Sequence, residues 1–196
     1  MQNKVIVFEG IDGSGKSTVS ELVAKIVFAR FVDSPLPEFK KTRKIINESN
    51  NLEEKFLFYL STNRVLSDYL KKEVRHTSIV CARYYPSSLV DYSTRMGIGV
   101  DELMAKYAVS HNQFYQPHAG ILLTVSSEEQ RRRILFRNGE NLTDSDKNCV
   151  LDDSYRSNIN LKYLFIAKQL NWRVIDTTQK GLNEIVSECV KIVKGV

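Results

Sequence analysis

Apolar residues along the chain follow two rhythms, short unbroken runs and longer stretches in which they return every three or four positions. The runs at Lys4 to Phe8, Ser78 to Ala82 and Ile121 to Val125 predict buried strands, and Phe31 to Asp33 and Arg173 to Ile175 predict two shorter ones. Helical spacing marks Ser17 to Arg30, Glu38 to Glu48, Leu52 to Lys72, Ser87 to Arg95, Asp101 to Val109, Ser126 to Arg137, Asp152 to Leu170 and Leu182 to Lys194. Pro35 and Pro37 interrupt the pattern after the second strand, and Ser126 with Glu129 forms a capping-box signature. The polar, glycine-containing stretch from Asn138 to Asn148 predicts a mobile loop. Strands alternating with helices predict an α/β fold with a parallel sheet covered on both faces, in one domain over residues 1–196. Ligands of such a sheet bind at the carboxyl ends of the strands.

Composition narrows the choice of ligand. With 196 residues, 42% of them hydrophobic, the chain can bury a sizeable core. A net charge of +5, from 28 Lys plus Arg against 23 Asp plus Glu, favours anionic partners. Apart from Lys40-Lys41 with Arg43-Lys44, and Arg131-Arg132-Arg133, the basic residues are scattered, which suits a phosphate-rich small molecule better than nucleic acid. Cys81, Cys149 and Cys189 are too few and too separated for a disulfide framework or a zinc site, so a reducing, cytoplasmic compartment is expected. The absence of signal-peptide features at the N-terminus and of any apolar stretch of transmembrane length predicts a soluble, unprocessed protein with no membrane partner. His76, His111 and His118 form no usable pattern.

The chemistry is concentrated at Gly10 to Ser17, GIDGSGKS, a full match to GxxxxGK[ST] placed directly after the apolar run Val5-Ile6-Val7-Phe8. A buried strand that feeds a glycine-rich turn into a helix aims several backbone N–H groups and a positive helix end at one point, where a phosphate chain can be held. Gly10, Ile11, Asp12, Gly13, Ser14, Gly15, Lys16, Ser17 and Thr18 form the candidate triphosphate cradle. Lys16 is expected to reach the β and γ phosphates, and Ser17 to offer its hydroxyl to magnesium. ATP and Mg2+ are therefore the expected cofactors.

Outside the loop, Arg83 stands at the carboxyl end of an apolar strand, where ligands of α/β sheets bind. Arg133 and Arg137 share a helix face four residues apart, just before the polar stretch, and are either functional cations or a solvated face. Tyr84, Tyr85 and Tyr92 are pocket or core residues, and Lys40, Lys41 and Arg43 face a phosphate or water.

FEGIDGSGKST, Phe8 to Thr18, resembles the phosphate loop of the thymidylate kinase family of nucleoside monophosphate kinases. Further matches follow in order: Ser61-Thr62-Asn63-Arg64, Arg83-Tyr84 with Ser87-Ser88, Arg133 with Arg137, and Leu170 to Asp176. The resemblance implies a P-loop, three-layer fold with a five-stranded parallel sheet, a mobile lid near 138–150 and a homodimer packed through Leu52 to Lys72. It also implies transfer of the ATP γ-phosphoryl group to a nucleoside monophosphate, with dTMP the expected acceptor. Lys16, Arg83, Arg133 and Arg137 would supply the charge for transfer; Glu9, Asp12, Leu60, Arg64, Arg83, Tyr84, Ser88 and Tyr92 would serve the acceptor.

Three positions depart from the family pattern. Ala82 stands where the signature Asp precedes Arg83, so a carboxylate near the metal is missing, and Glu9 is the candidate to replace it. Leu60 stands where an aromatic stacks on thymine, with Phe56 or Tyr59 as possible substitutes. Asp33-Ser34-Pro35 or Pro37-Glu38-Phe39 replaces an Arg-Glu-Pro segment, removing a phosphate-gripping arginine. The alternatives to a dTMP kinase are a related kinase with another acceptor and an ATP-binding regulatory protein with degraded transfer.

Overall fold

The computed structural model describes residues 2–138 and 144–196. Five parallel strands, β1 (Val5–Glu9), β2 (Arg30–Asp33), β3 (Ile79–Ala82), β4 (Ala119–Thr124) and β5 (Arg173–Asp176), form one sheet in the order β2-β3-β1-β4-β5. β1 pairs with β3 from Val5–Ile79 to Phe8–Ala82, and with β4 from Ile6–Ala119 to Glu9–Leu122. The chain winds away from β1 in one direction and later in the other, which opens a crevice at its carboxyl end.

Strand alternation sends side chains into two cores. Val5 and Val7 join one cluster and Ile6 and Phe8 the other, all four essentially buried. The smaller cluster packs α1 (Lys16–Ile26) and α9 (Leu182–Gly195) on one face. The larger cluster sits under α3 (Leu52–Glu73), α4 (Tyr85–Arg95), α5 (Val100–Lys106) and α8 (Asp153–Gln169) on the other. Each fully buried Val, Leu, Ile or Phe contributes about 1.5–3 kcal/mol, so these continuous apolar strands fix the sheet as the middle of three layers. The remaining helices are α2 (Lys40–Glu48), α6 (Ser127–Asn138) and α7 (Asp144–Leu151).

Element ends depart from the hydrophobic pattern for local reasons. α1 stops at Ile26 instead of Arg30 because Phe28 adopts a left-handed φ of 54° and the Ala29 N–H closes back on the Ala24 carbonyl at 2.9 Å. Arg30 is thereby released to start β2, its N–H on the Ser78 carbonyl at 2.8 Å. α4 starts at Tyr85, two residues early, with Pro86 in its first turn, where the missing N–H has no cost. At α6 only half of the capping box forms. The Ser126 hydroxyl accepts from the Glu129 N–H at 3.4 Å, while the Glu129 carboxylate turns to Arg132 and Arg133.

The stretch expected as a loop from Asn138 to Asn148 is helical from Asp144 onward, and its residues 139–143 lie outside the described residues. Cys81, Cys149 and Cys189 are buried, and none of them is in a disulfide. Among the described residues no helix is long and apolar enough to cross a membrane.

Candidate active site

The loop from Gly10 to Gly15 joins the end of β1 to the start of α1 and is pressed against β4 and α6. A Cβ at Gly10 would lie 2.4 Å from the Leu123 carbonyl oxygen. One at Gly13, whose φ is 83°, would meet Gln130 Cγ at 3.0 Å and Ile134 Cγ1 at 3.1 Å. Neither position has room for a side chain, and the left-handed backbone suits glycine. Gln130, fully buried, fixes the loop from behind by donating its Nε2 to the Asp12 carbonyl at 2.6 Å. The N–H groups of α1's first turn then face the loop's interior, the arrangement that binds anions.

Lys16 is 5% exposed and folds across the loop. Its Nζ donates to Asp12 Oδ1 at 3.0 Å and to the Ile11 carbonyl at 3.4 Å. Burial lowers its pKa from the ordinary lysine value, the Asp12 carboxylate opposes that shift, and Arg83 adds to it. Arg83, directly after β3, holds a left-handed φ of 67° while its N–H bonds to the Phe8 carbonyl at 2.9 Å. Its guanidinium lies between two carboxylates, Nη2 3.7 Å from Asp12 Oδ1 and Nη1 3.3 Å from Asp33 Oδ1. Lys16, Asp12, Arg83 and Asp33 thus run as alternating charges across the carboxyl ends of β1, β3 and β2.

A cavity of about 630 Å3 opens beside this row. α3 presents Leu52, Lys55, Phe56, Tyr59 and Asn63 to it, residues three or four apart on one helix face. α4 contributes Ser87, Ser88, Asp91, Tyr92 and Arg95, α2 contributes Arg43 and Asn47, and Tyr163 closes it from α8. Phe56 stacks on Tyr92 with ring centroids 4.4 Å apart at 16°. The Asn63 amide donates to Ser88 Oγ at 2.9 Å and accepts from Ser34 Oγ at 3.2 Å, tying α3 to α4 and to the residue that follows β2. Among the lining residues described, Lys16, Arg43, Lys55, Arg83, Arg95 and Arg137 are cationic, against the carboxylates of Asp12 and Asp91. An anion with a flat apolar body suits these walls.

A phosphate loop joined to a cationic cavity with an aromatic wall fits a nucleotide phosphotransferase, and the thymidylate kinase family model matches residues 8–189. The chain belongs to the thymidylate kinase family. A probable thymidylate kinase of Methanocaldococcus jannaschii is 31% identical over 100% of this chain and 98% of its own. The thymidylate kinase of Desulfotalea psychrophila is 27% identical over 96% of each. Of solved structures, the thymidylate kinase of Candida albicans superposes with a TM-score of 0.76 at 16% identity, over 99% of this chain and 92% of its own. That of Ehrlichia chaffeensis superposes with a TM-score of 0.69 at 18% identity, over 98% and 100%. The five-stranded parallel α/β fold expected from the resemblance is thus the fold observed.

Of the residues expected to serve this family's chemistry, Gly10, Ile11, Asp12, Lys16, Arg83, Tyr84, Ser88, Tyr92 and Arg137 line the cavity. Gly13, Ser14 and Gly15 complete the loop, and Ser17 and Thr18 stand exposed in the first turn of α1. Four residues fall elsewhere. Leu60 packs on the larger core, one helix position away from Tyr59 on the cavity wall. Arg64 is exposed; its guanidinium lies 5.3 Å from the Phe114 ring centroid and donates to the Gln113 carbonyl. Arg133 sits behind the loop, donating from Nη1 to Thr177 Oγ1 at 2.9 Å and to the Gly13 carbonyl at 3.4 Å, and from Nη2 to the Thr177 carbonyl at 2.7 Å.

Glu9 is the fourth. Its carboxylate is 1% exposed and caps the start of α4, accepting from the Tyr84 N–H at 2.8 Å, the Ser87 N–H at 3.2 Å and the Ser87 hydroxyl. Both oxygens are committed there, so Glu9 does not replace the carboxylate that Ala82 lacks. Burial pushes its pKa up to about 6, against the opposing effects of the Ser87 and Tyr84 hydrogen bonds and the Lys16 charge. Asn63, Ser87, Asp91, Arg95 and Tyr163 belong to the site without having been expected there. Asn63 and Ser87 stand inside the segments that carry the family resemblance, and the Asp91–Arg95 pair, four residues apart and joined at 2.9 Å, left a spacing signal in the sequence.

Proposed function

We propose that this chain transfers the γ-phosphoryl group of ATP to thymidine monophosphate, giving ADP and thymidine diphosphate. One observation carries the reading: Lys16 and Arg83 meet at Asp12, where the phosphate loop opens into the cavity lined by Phe56 and Tyr59. Donor and acceptor phosphates held on the two sides of this junction stand in line for transfer. A monophosphate brings its own anionic oxygen nucleophile, so no side chain has to remove a proton. The residues' task is to gather charge, and Lys16, Arg83 and Arg137 do so around the transferring group, with Arg43 at the acceptor's end.

The loop fits a triphosphate because no Cβ intrudes at Gly10 or Gly13 and the first-turn N–H groups of α1 are presented to it. For magnesium, Ser17 is the donor this chain supplies. Asp12 is engaged by Lys16 and Arg83, Glu9 is sealed, and among the described residues no cluster of acidic or imidazole side chains forms a cage. Ser17 with phosphate oxygens and water would complete such a site, and the ion would neutralise charge on the donor phosphates. The cavity's Asn63-Ser88 pair and aromatic wall support a pyrimidine base as the acceptor's apolar body. Two copies pairing through α3 would cover Leu57 and Val65, which are 44% and 42% exposed on that helix, and sedimentation measures that state. We also place the protein in the cytosol, a reading supported by its three reduced, buried cysteines.

A coupled ADP-release assay across a panel of nucleoside monophosphates tests the activity. The expected result is turnover with dTMP well above background hydrolysis. Binding of ATP with no transfer to any monophosphate would favour a regulatory protein instead.

A further inference from the structure

Ala82 is fully buried at the end of β3, immediately before Arg83, at the position where the family signature carries a carboxylate. The neighbouring edge strand answers that loss. Asp33 is in register with Ala82, and paired residues of parallel strands lie side by side on one face, about 4.8 Å apart. Alternation identifies the face: Phe31 and Val80, two positions earlier on each strand, pack in the cluster of α1 and α9. Asp33 and Ala82 therefore end on the α1 side of the sheet, beside the phosphate loop.

The Asp33 carboxylate is committed to this corner by two hydrogen bonds. Its Oδ1 accepts from Arg83 Nη1 at 3.3 Å and from the Ser34 N–H at 3.1 Å. On the other side of the guanidinium, Asp12 stands 3.7 Å from Nη2. An arginine has five N–H donors in a rigid fork, so two carboxylates at its Nη ends fix the plane and leave further donors for phosphoryl oxygens. An unheld side chain of that length would sample many rotamers.

We propose that Asp33, on the edge strand beside Ala82, acts as the positioning residue for Arg83 in phosphoryl transfer, a task that a carboxylate on either of the two strands could perform. The inference rests on the transfer reading above. The acidic residue that ends β2 and the alanine that ends β3 form a single rearrangement, in which the negative charge stands one strand further out. A second carboxylate added at 82 would then stand beside Asp33 as a like charge, so it brings no gain unless Asp33 has lost its own.

The experiment is a double-mutant cycle with kcat and both KM values measured for the parent, Asp33→Asn, Ala82→Asp and the double variant. Asp33→Asn is expected to lower kcat about fivefold to tenfold while the KM for ATP changes less than about twofold. Ala82→Asp alone should give no rise in rate, and the double variant should return to within about twofold of the parent. An Asp33→Asn enzyme at parental rate, or a folded double variant no faster than Asp33→Asn, overturns the proposal. A second readout does not depend on turnover or on the buried substitution. In 15N spectra of the parent and of Asp33→Asn, the Arg83 guanidinium protons should exchange faster in the variant; identical exchange refutes the pairing. Should the parent itself fail to phosphorylate any monophosphate, the transfer reading falls, and the Arg83 signal still decides whether Asp33 holds it.

Discussion

The carboxylate of Glu9 accepts two hydrogen bonds from Ser87, 78 residues away, one from its backbone N–H at 3.2 Å and one from its hydroxyl. This contact locks the end of the central strand to the first turn of α4, the helix that carries Ser88, Asp91, Tyr92 and Arg95 into the cavity. Burial raises the Glu9 pKa from 4.5 to about 6. A carboxyl held above its unfolded value contributes stability that is complete below about 4.5 and is lost as the pH rises through about 6. Between pH 7.5 and pH 5 the parent should therefore gain on the order of 1 kcal/mol relative to Glu9→Gln in denaturant unfolding. Equal pH slopes for the two proteins would contradict the assignment.

Lys16→Ala separates binding from folding. The lysine is buried, but its partner Asp12 is 29% exposed and keeps Arg83, so removing the ammonium leaves no isolated buried charge. The melting temperature should move little, while kcat for transfer should fall at least about a hundredfold and calorimetric ATP affinity should drop with it. A variant that binds and turns over like the parent would remove the phosphate loop from the mechanism.

The phosphate loop and the sheet were legible because each leaves a local signature, glycines and a lysine at fixed spacing and unbroken apolar runs. Contacts between distant segments leave none, and so Glu9 read as a substrate or metal residue when its partners lie at Tyr84 and Ser87. α3 shows a different obstacle. Leu57, Leu60 and Val65 stand among Phe56, Tyr59 and Leu66 around a helix with apolar side chains on several faces, and periodicity alone does not say which stripe meets the cavity. Arg133 and Arg137 share a helix face in sequence, yet the loop before α9 captures the first through Thr177 while the second reaches the cavity.

The α3 stripe yields a direct contrast. Tyr59 lines the cavity and is braced by its hydroxyl on Asn47 at 2.7 Å, whereas Arg64 stacks on Phe114 outside it. Tyr59→Ala should raise the KM for the monophosphate about tenfold, equivalent to about 1.4 kcal/mol, with the KM for ATP unchanged. Arg64→Ala should leave both constants near the parental values. The reverse ranking in steady-state kinetics would mean that the acceptor sits on the Leu60–Arg64 face.

Arg133 and Arg137 should part company in the same way. Arg133 bonds to Thr177, Gly13 and Glu129, and together these contacts fasten the phosphate loop to the segment after β5. Removing it leaves the buried Thr177 without those donors, so Arg133→Ala should cost about 1–3 kcal/mol in unfolding and weaken ATP binding through the loop. Arg137 is exposed at the cavity, where on the proposed transfer reading its charge would serve the transferring group. Arg137→Ala should therefore lower kcat by about tenfold or more with a melting curve close to that of the parent. Paired measurements of unfolding free energy and kcat on the two variants check the division, and a stability loss confined to Arg137→Ala would reverse it.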